Sequence, residues 1–220
     1  MKKLILILTL ITVNIFTLDT IETFDLGFTD FEYYNRTSDL TKNNKTFTNE
    51  IHIGAGITPV FSSHISLSSE KTDNYLPVTS YSFGFILTVL NTKNTDIDFY
   101  GELDSSYNTL IGLELNYDLE DELKYLGFYL RPEIEFNNDY KIYKLLLGTY
   151  YSLNTSIQLL AEFDVYKIDS QNLETGNIAF GINYTLYDSI ELINEFSIDI
   201  PHEDETTSYS VMIGFLATLP

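Results

Sequence analysis

The sequence predicts an all-β chain closed into an antiparallel barrel, and three observations predict it. Apolar and polar residues alternate with a period of two over most of the 220 residues, whereas no 3.6-residue stripe persists. About twelve such runs occur, many of them about 9 to 13 residues long, above the five or six usual in a soluble sheet. The breaks between them alternate between a longer polar segment and a tight one, so one end of the fold carries loops and the other turns.

In chain order, Met1-Lys2-Lys3 precedes an unbroken run of Leu, Ile, Thr and Val from Leu4 to Val13, and an acidic segment begins at Asp19. A basic start, a short apolar run and a polar exit predict a secretory signal peptide over residues 1–18, with residues 19–220 forming one barrel domain. The apolar run is too short for a comfortable membrane-spanning helix. With no cysteine in the chain, there is neither a disulfide framework nor a thiolate metal site, nor a lipid-bearing cysteine near the cut.

A weak first run covers Phe24 to Tyr34. In the second, Phe47, Ile51, Ile53, Ala55 and Ile57 share one face, and Thr48, Glu50, His52, Gly54, Gly56 and Thr58 the other. A weak third run covers His64 to Ser69. Next come Tyr81, Phe83, Phe85, Leu87 and Val89, then Ile97, Phe99 and Leu103 opposite Asp96, Asp98, Glu102 and Asp104. Ile111, Leu113, Leu115 and Tyr117 back onto Gly112, Glu114 and Asn116; Leu126, Phe128, Leu130, Ile134 and Phe136 onto Tyr129, Arg131, Glu133 and Glu135. Leu145, Leu147 and Tyr151 mark the eighth run, and Ile157, Leu159, Ala161, Phe163 and Val165, opposite Glu162 and Asp164, the ninth. Ile178 to Leu186, Ile190 to Ile200 (with Glu191, Glu195 and Asp199 on its polar side) and Tyr209 to Leu219 complete the set.

Composition sets the function class. There are 32 Asp and Glu against 12 Lys and Arg, a net charge of −20, yet 44% of the chain is hydrophobic. Seventeen Tyr and fifteen Phe exclude acidic disorder. The charge excludes nucleic acid as a partner, since phosphate binding needs a basic surface. Loss of Lys2 and Lys3 with the signal peptide leaves 10 basic against 32 acidic residues, a net −22.

Alternation alone does not say whether the polar face meets bulk water or a lumen. If it pointed outward, Ile, Leu and Phe would have to fill the wide interior of a twelve-stranded barrel. If it points inward, the same apolar residues meet lipid, and a closed barrel is the β structure that satisfies its backbone there. The export signal, strand length, loop parity and β-rich C-terminus favour a transmembrane up-and-down barrel in the bacterial outer membrane. Its predicted lumen-lining residues are Asp98, Glu102, Glu114, Arg131, Glu133, Glu135, Glu162, Asp164, Glu191, Glu195 and Asp199. Ten carboxylates so placed gather cations and repel anions, and Arg131, Lys124 and Lys144 are too few to pair them all.

Other residues offer less. His64 lies beside Ser62, Ser63 and Ser66, but no G-x-S-x-G elbow accompanies it, and a turn residue is the better expectation than a lipid hydrolase. His52 is expected to face the lumen near Glu50, hydrogen-bonded. His202-Glu203-Asp204-Glu205 matches no metal spacing and reads as a solvated loop. No catalytic residue, metal or cofactor is predicted. Tyr33, Tyr34, Tyr75, Tyr100, Tyr107, Tyr117, Tyr125, Tyr150, Tyr151, Tyr184 and Tyr209 are candidates for interfacial belts, since Trp is absent.

The series NIAFGINYTLYDSIELINEFSIDI, Asn177 to Ile200, resembles the penultimate hairpin of bacterial outer-membrane β-barrel proteins, and NEIHIGAGITPVFSSHISLS, Asn49 to Ser68, resembles their early hairpins. Tyr209 to Leu219 is similar to the assembly signal of such barrels. Within that group the chain looks most like the transporter family associated with phenol-degradation operons, a resemblance of pattern over residues 20 to 219. It implies an outer-membrane channel for small solutes whose partners are membrane lipid, the outer-membrane assembly machinery and the solutes. Segments Arg36 to Thr46, Glu70 to Pro77 and Asp169 to Thr175 are candidate gates. The alternatives are a non-conducting structural or adhesive barrel and a soluble secreted β-protein that binds a hydrophobic ligand.

Overall fold

The computed structural model describes residues 29–42, 44–73, 75–119, 126–169, 171–187, 189–200 and 207–219; the predicted signal peptide, Lys124, Tyr125 and the His202 segment lie outside them. Twelve strands follow one another: β1 Thr29–Ser38, β2 Thr46–Thr58, β3 Phe61–Thr72, β4 Val78–Asn91, β5 Thr95–Asp104 and β6 Thr109–Leu119. β7 Leu126–Phe136, β8 Lys141–Asn154, β9 Ile157–Ile168, β10 Glu174–Tyr187, β11 Ile190–Asp199 and β12 Ser208–Leu219 complete the series. Each strand pairs antiparallel with its sequence neighbours, and β1 pairs with β12, so the sheet is a closed up-and-down barrel. Closure leaves no unpaired edge.

The two faces separate as the alternation requires. Ile53, Ile65, Leu67, Phe83, Leu113, Phe128, Leu147, Phe180 and Ile182 point outward and are exposed, Ile65 by 59% and Phe83 by 55%. A continuous apolar belt of this kind does not face water. Strands of 10 to 14 residues are long enough to cross an apolar band of about 25 Å at the usual tilt. Detergent dependence follows: residues 19–220 are expected to stay in solution only with detergent, and to migrate differently on gels before and after heating. Solubility in plain buffer would contradict the outward placement of these side chains.

Several strand limits differ from those the alternation predicts, β1 and β3 among them. β1 runs to Ser38 instead of ending at Tyr34, with Arg36 level with Thr48 and Met212, and Thr37 level with Phe47 and Val211. β3 covers Phe61–Thr72, well beyond the weak run His64 to Ser69. The reason is the same in both: where one face lines a polar interior, Arg, Ser and Thr belong to strands as readily as Val does, and polarity no longer marks a loop.

The connections at one end are 39–45, 73–77, 105–108, 137–140, 169–173 and 200–207; those at the other are 59–60, 92–94, 120–125, 155–156 and 188–189. Near the tight end, pairing slips by one residue at Gly56/Thr58, Thr88/Leu90, Ser152/Asn154 and Thr185/Tyr187. Such bulges bend and twist the strands as they enter a turn. At the loop end, aspartates serve as turn acceptors. Asp104 takes the backbone N–H of Ser106 and Asn108 at 2.7 and 2.9 Å. Asp39, at positive φ, accepts from Ser208 Oγ at 2.9 Å and pairs with Lys42 Nζ at 2.6 Å. Asp73 and Asp169 accept from the backbone N–H of Lys45 and Lys141. Part of the chain's acidity is thus spent on shaping loops. The candidate gates keep loop residues within 39–45, 73–77 and 169–173, but Arg36 to Ser38 and Thr46 leave the first for β1 and β2, Glu70 to Thr72 the second for β3, and Glu174 and Thr175 the third for β10.

Candidate functional site

The barrel interior is built from rows of residues level with one another on adjacent strands. His64, Gly84 and Glu102 form one row across β3, β4 and β5; Tyr100, Gly112 and Glu133 form the next across β5, β6 and β7. Tyr129, Gly148 and Glu162 repeat it across β7, β8 and β9, and Tyr150, Gly127 and Asp118 run the opposite way across β8, β7 and β6. In every row the ring lies flat over the glycine, and a Cβ placed there would collide with it. Passing over the glycine, Tyr100 donates its hydroxyl to Glu133 Oε1 at 2.6 Å, Tyr129 to Glu162 and Tyr150 to Asp118. His64 Nε2 stands 3.7 Å from Glu102 Oε2. Each bridge spans three strands, which a side chain does only where the middle position has none.

All eleven predicted lining residues lie on the strand parity that turns inward. Arg131 donates from Nε and Nη2 to Glu114 Oε2, each at 2.6 Å, and Glu114 Oε1 accepts from Asn116 Nδ2 at 3.0 Å. Arg131 also stands over the Tyr129 ring, 5.8 Å from its centroid. Asp98 accepts from Thr88 Oγ1 at 2.6 Å. Asp164 faces Lys144 Nζ at 3.6 Å and accepts from the Asn177 backbone N–H at 3.2 Å. Glu195 is buried, level with Met212; Glu191, Glu135 and Asp199 are half-buried near strand ends. The interior is not wholly polar: Tyr34, Ile193 and Met212 pack together with Leu216, and Leu160 and Ala179 with Tyr150.

The histidines are strand residues. His52 is placed as expected, its Nε2 3.1 Å from Glu50 Oε1, while Ser66 Oγ sits 2.9 Å from its Nδ1. His64 is not in a turn, and the serine expected beside it bonds His52 instead. Ser66 is buried inside the barrel, away from the lipid-facing surface that an acyl chain would reach. The tyrosines divide. Tyr117, Tyr151 and Tyr184 face outward near the turn end and Tyr209 near the loop end, as belts require, but Tyr34, Tyr100 and Tyr150 turn inward. Tyr129, absent from the belt candidates, joins them. The signal was the inward glycines: Gly214, Gly112, Gly127 and Gly148 lie level with Tyr34, Tyr100, Tyr150 and Tyr129.

No protein-family model matches the chain, and no curated protein matches it. Solved structures do. The KdgM porin is similar at 14% identity and TM-score 0.65, over 86% of this chain and 98% of that one. The NanC porin is similar at 12% identity and TM-score 0.65, over 87% and 100%. A deletion mutant of TodX, a monoaromatic hydrocarbon channel, is similar at 9% identity and TM-score 0.55, over 87% and 88%. At these identities the likeness is one of fold. Together with the apolar belt, it gives the chain the architecture of a twelve-stranded, porin-like β-barrel whose outer face suits lipid.

Proposed function

We propose that the barrel is a channel that passes small solutes by diffusion through an acidic lumen, with cations and neutral solutes preferred over anions. The observation that carries this is the charge of the inward positions. Arg36, Arg131 and Lys144 are set against the ten carboxylates named above and against Glu50, Asp96 and Asp118 besides. A tyrosine hydroxyl satisfies a carboxylate oxygen without cancelling its charge, so the rows position negative charge without neutralising it. In a channel with low-dielectric walls that charge raises the local cation concentration and excludes anions.

KdgM has been captured with oligogalacturonate, an acidic oligosaccharide; the lumen here has the sign that repels such a solute, so shared fold does not carry shared cargo. The neutral side of the preference accommodates the small hydrophobic solutes that resemblance to the phenol-operon transporter family implies. Residues 1–18 serve as the export signal, and Tyr209–Leu219 is the segment offered to the outer-membrane assembly machinery.

The test is swelling of liposomes holding the purified barrel, in isotonic glucosamine hydrochloride, glucose and sodium glucuronate. Entry of the first two is expected to outpace the third severalfold. The difference should shrink on acidification, because protonation removes the charge of a carboxylate. Glucuronate entering fastest, or a preference indifferent to acid, would sink the proposal.

A further inference from the structure

On the outer wall of the barrel the charge is reversed. Among the described residues, the outward positions of the twelve strands hold no Asp or Glu, and the charged side chains there are Lys71 on β3, Lys141 on β8 and Lys167 on β9. All three stand at the loop end, and Lys45, one residue before β2, continues the same face. A chain with 32 acidic residues against 12 basic has thus placed lysines alone on its lipid-facing side.

The four form two pairs of one construction. Lys71 is level with Phe47, two residues on from Lys45, and Lys167 is level with Tyr143, two residues on from Lys141. Each pair is a diagonal across antiparallel strands, about 7–8 Å between positions, which flexible lysine stems close onto one ligand. The Asp73 N–H donates to the Lys45 carbonyl at 3.2 Å and the Asp169 N–H to the Lys141 carbonyl at 2.9 Å, while each aspartate's Oδ2 accepts from the same lysine's backbone N–H. Those carboxylates serve the backbone: among the described residues no carboxylate lies within ion-pair distance of any of the four Nζ. The two pairs lie half-way round the ring of twelve strands from each other.

The wall beneath decides what fits them. Ile51 and Leu67 continue the face below the first pair, and Leu145 and Phe163 below the second. Lys141 keeps to the apolar surface, its Nζ 5.4 Å from the centroid of the Phe136 ring, as a stem laid along a belt with its ammonium at the polar edge requires. A soluble anion would satisfy the ammonium groups and leave the wall to another molecule. An anionic lipid meets both, its phosphate oxygens accepting from the lysines and its acyl chains lying on the belt.

We propose that Lys45 with Lys71, and Lys141 with Lys167, each bind the phosphate headgroup of an anionic lipid in the leaflet at the loop end. The proposal rests on the membrane-spanning part of the reading above and is independent of conduction. The test is native mass spectrometry of the purified barrel after exposure in detergent to dimyristoyl phosphatidic acid or dimyristoyl phosphatidylcholine, with heat modification confirming that each variant is folded. The wild-type protein is expected to retain two phosphatidic acid molecules and no phosphatidylcholine. Lys45→Gln/Lys71→Gln is expected to retain one, and addition of Lys141→Gln/Lys167→Gln to retain none. Arginine at the same four positions, and the control Lys42→Gln/Lys93→Gln, should each retain both.

Phosphatidylcholine held as well as phosphatidic acid, or equal loss in the control, overturns the proposal. So does displacement of the lipid by equimolar glycerol 3-phosphate, which would make the pairs a site for soluble anions. Each of these results leaves the channel reading standing, whereas a barrel soluble in plain buffer overturns both.

Discussion

Gly148→Ala is expected to destabilise the barrel by about 2–4 kcal/mol, a large effect for one methyl group. The new Cβ meets the Tyr129 ring head-on, and forced overpacking of this kind costs about 1–3 kcal/mol. Moving the ring also withdraws its hydroxyl from Glu162, which is buried, and an unsatisfied buried acceptor costs about 1–3 kcal/mol more. Urea unfolding of the refolded barrel gives the measurement. Tyr129→Phe removes the hydrogen bond and leaves the ring seated, so its cost should be the smaller. If the ring is what the methyl strikes, Gly148→Ala with Tyr129→Ala should cost less than the two changes summed. A Gly148→Ala protein within about 0.5 kcal/mol of wild type, the range of neutral surface changes, would contradict the row as a structural unit.

Arg131→Ala is expected to cost about 3–5 kcal/mol, because it strands a buried carboxylate. Glu114 is 0% exposed and takes two guanidinium donors on one oxygen. Adding Glu114→Gln removes the stranded charge, so the double variant should be more stable than Arg131→Ala alone. Arg131→Lys should not rescue, since an ammonium lacks the fork that supplies both Nε and Nη2. A double variant no better than the single one would mean that Arg131 acts through packing on Tyr129 and not through Glu114.

Both effects turn on register, the part of the structure that the sequence left unread. Strand parity was legible throughout: Ile97, Phe99 and Leu103 against Asp98 and Glu102 already place one set outside and one inside, because a period of two is a property of a single strand. That Tyr100 lies level with Gly112 and Glu133 is a property of three strands. A shift of one residue either way in the β5–β6 pairing would put Tyr100 beside Ile111 or Leu113 instead. Alternation tolerates many registers, and the hairpin turns and bulges select one. Tyr100 stood among the Asp96, Asp98 and Glu102 face from the start, so its inward course was visible. A belt position is the expectation for a tyrosine because its ring is usually an apolar partner, whereas here the hydroxyl end is what the interior uses. The ends of β1 and β3 extend past the visible alternation because Arg36 and Ser62 are polar, and polarity marks loops only where strands have a dry side.

The acidic lumen is tested most directly by the reversal potential of single wild-type channels in a planar bilayer, with a tenfold potassium chloride gradient at neutral pH. A potential of the sign set by potassium is expected, because the inward carboxylates outnumber Arg36, Arg131 and Lys144 and hydrogen bonds from tyrosine leave their charge in place. A potential of the sign set by chloride, or a barrel that carries no current, would contradict it.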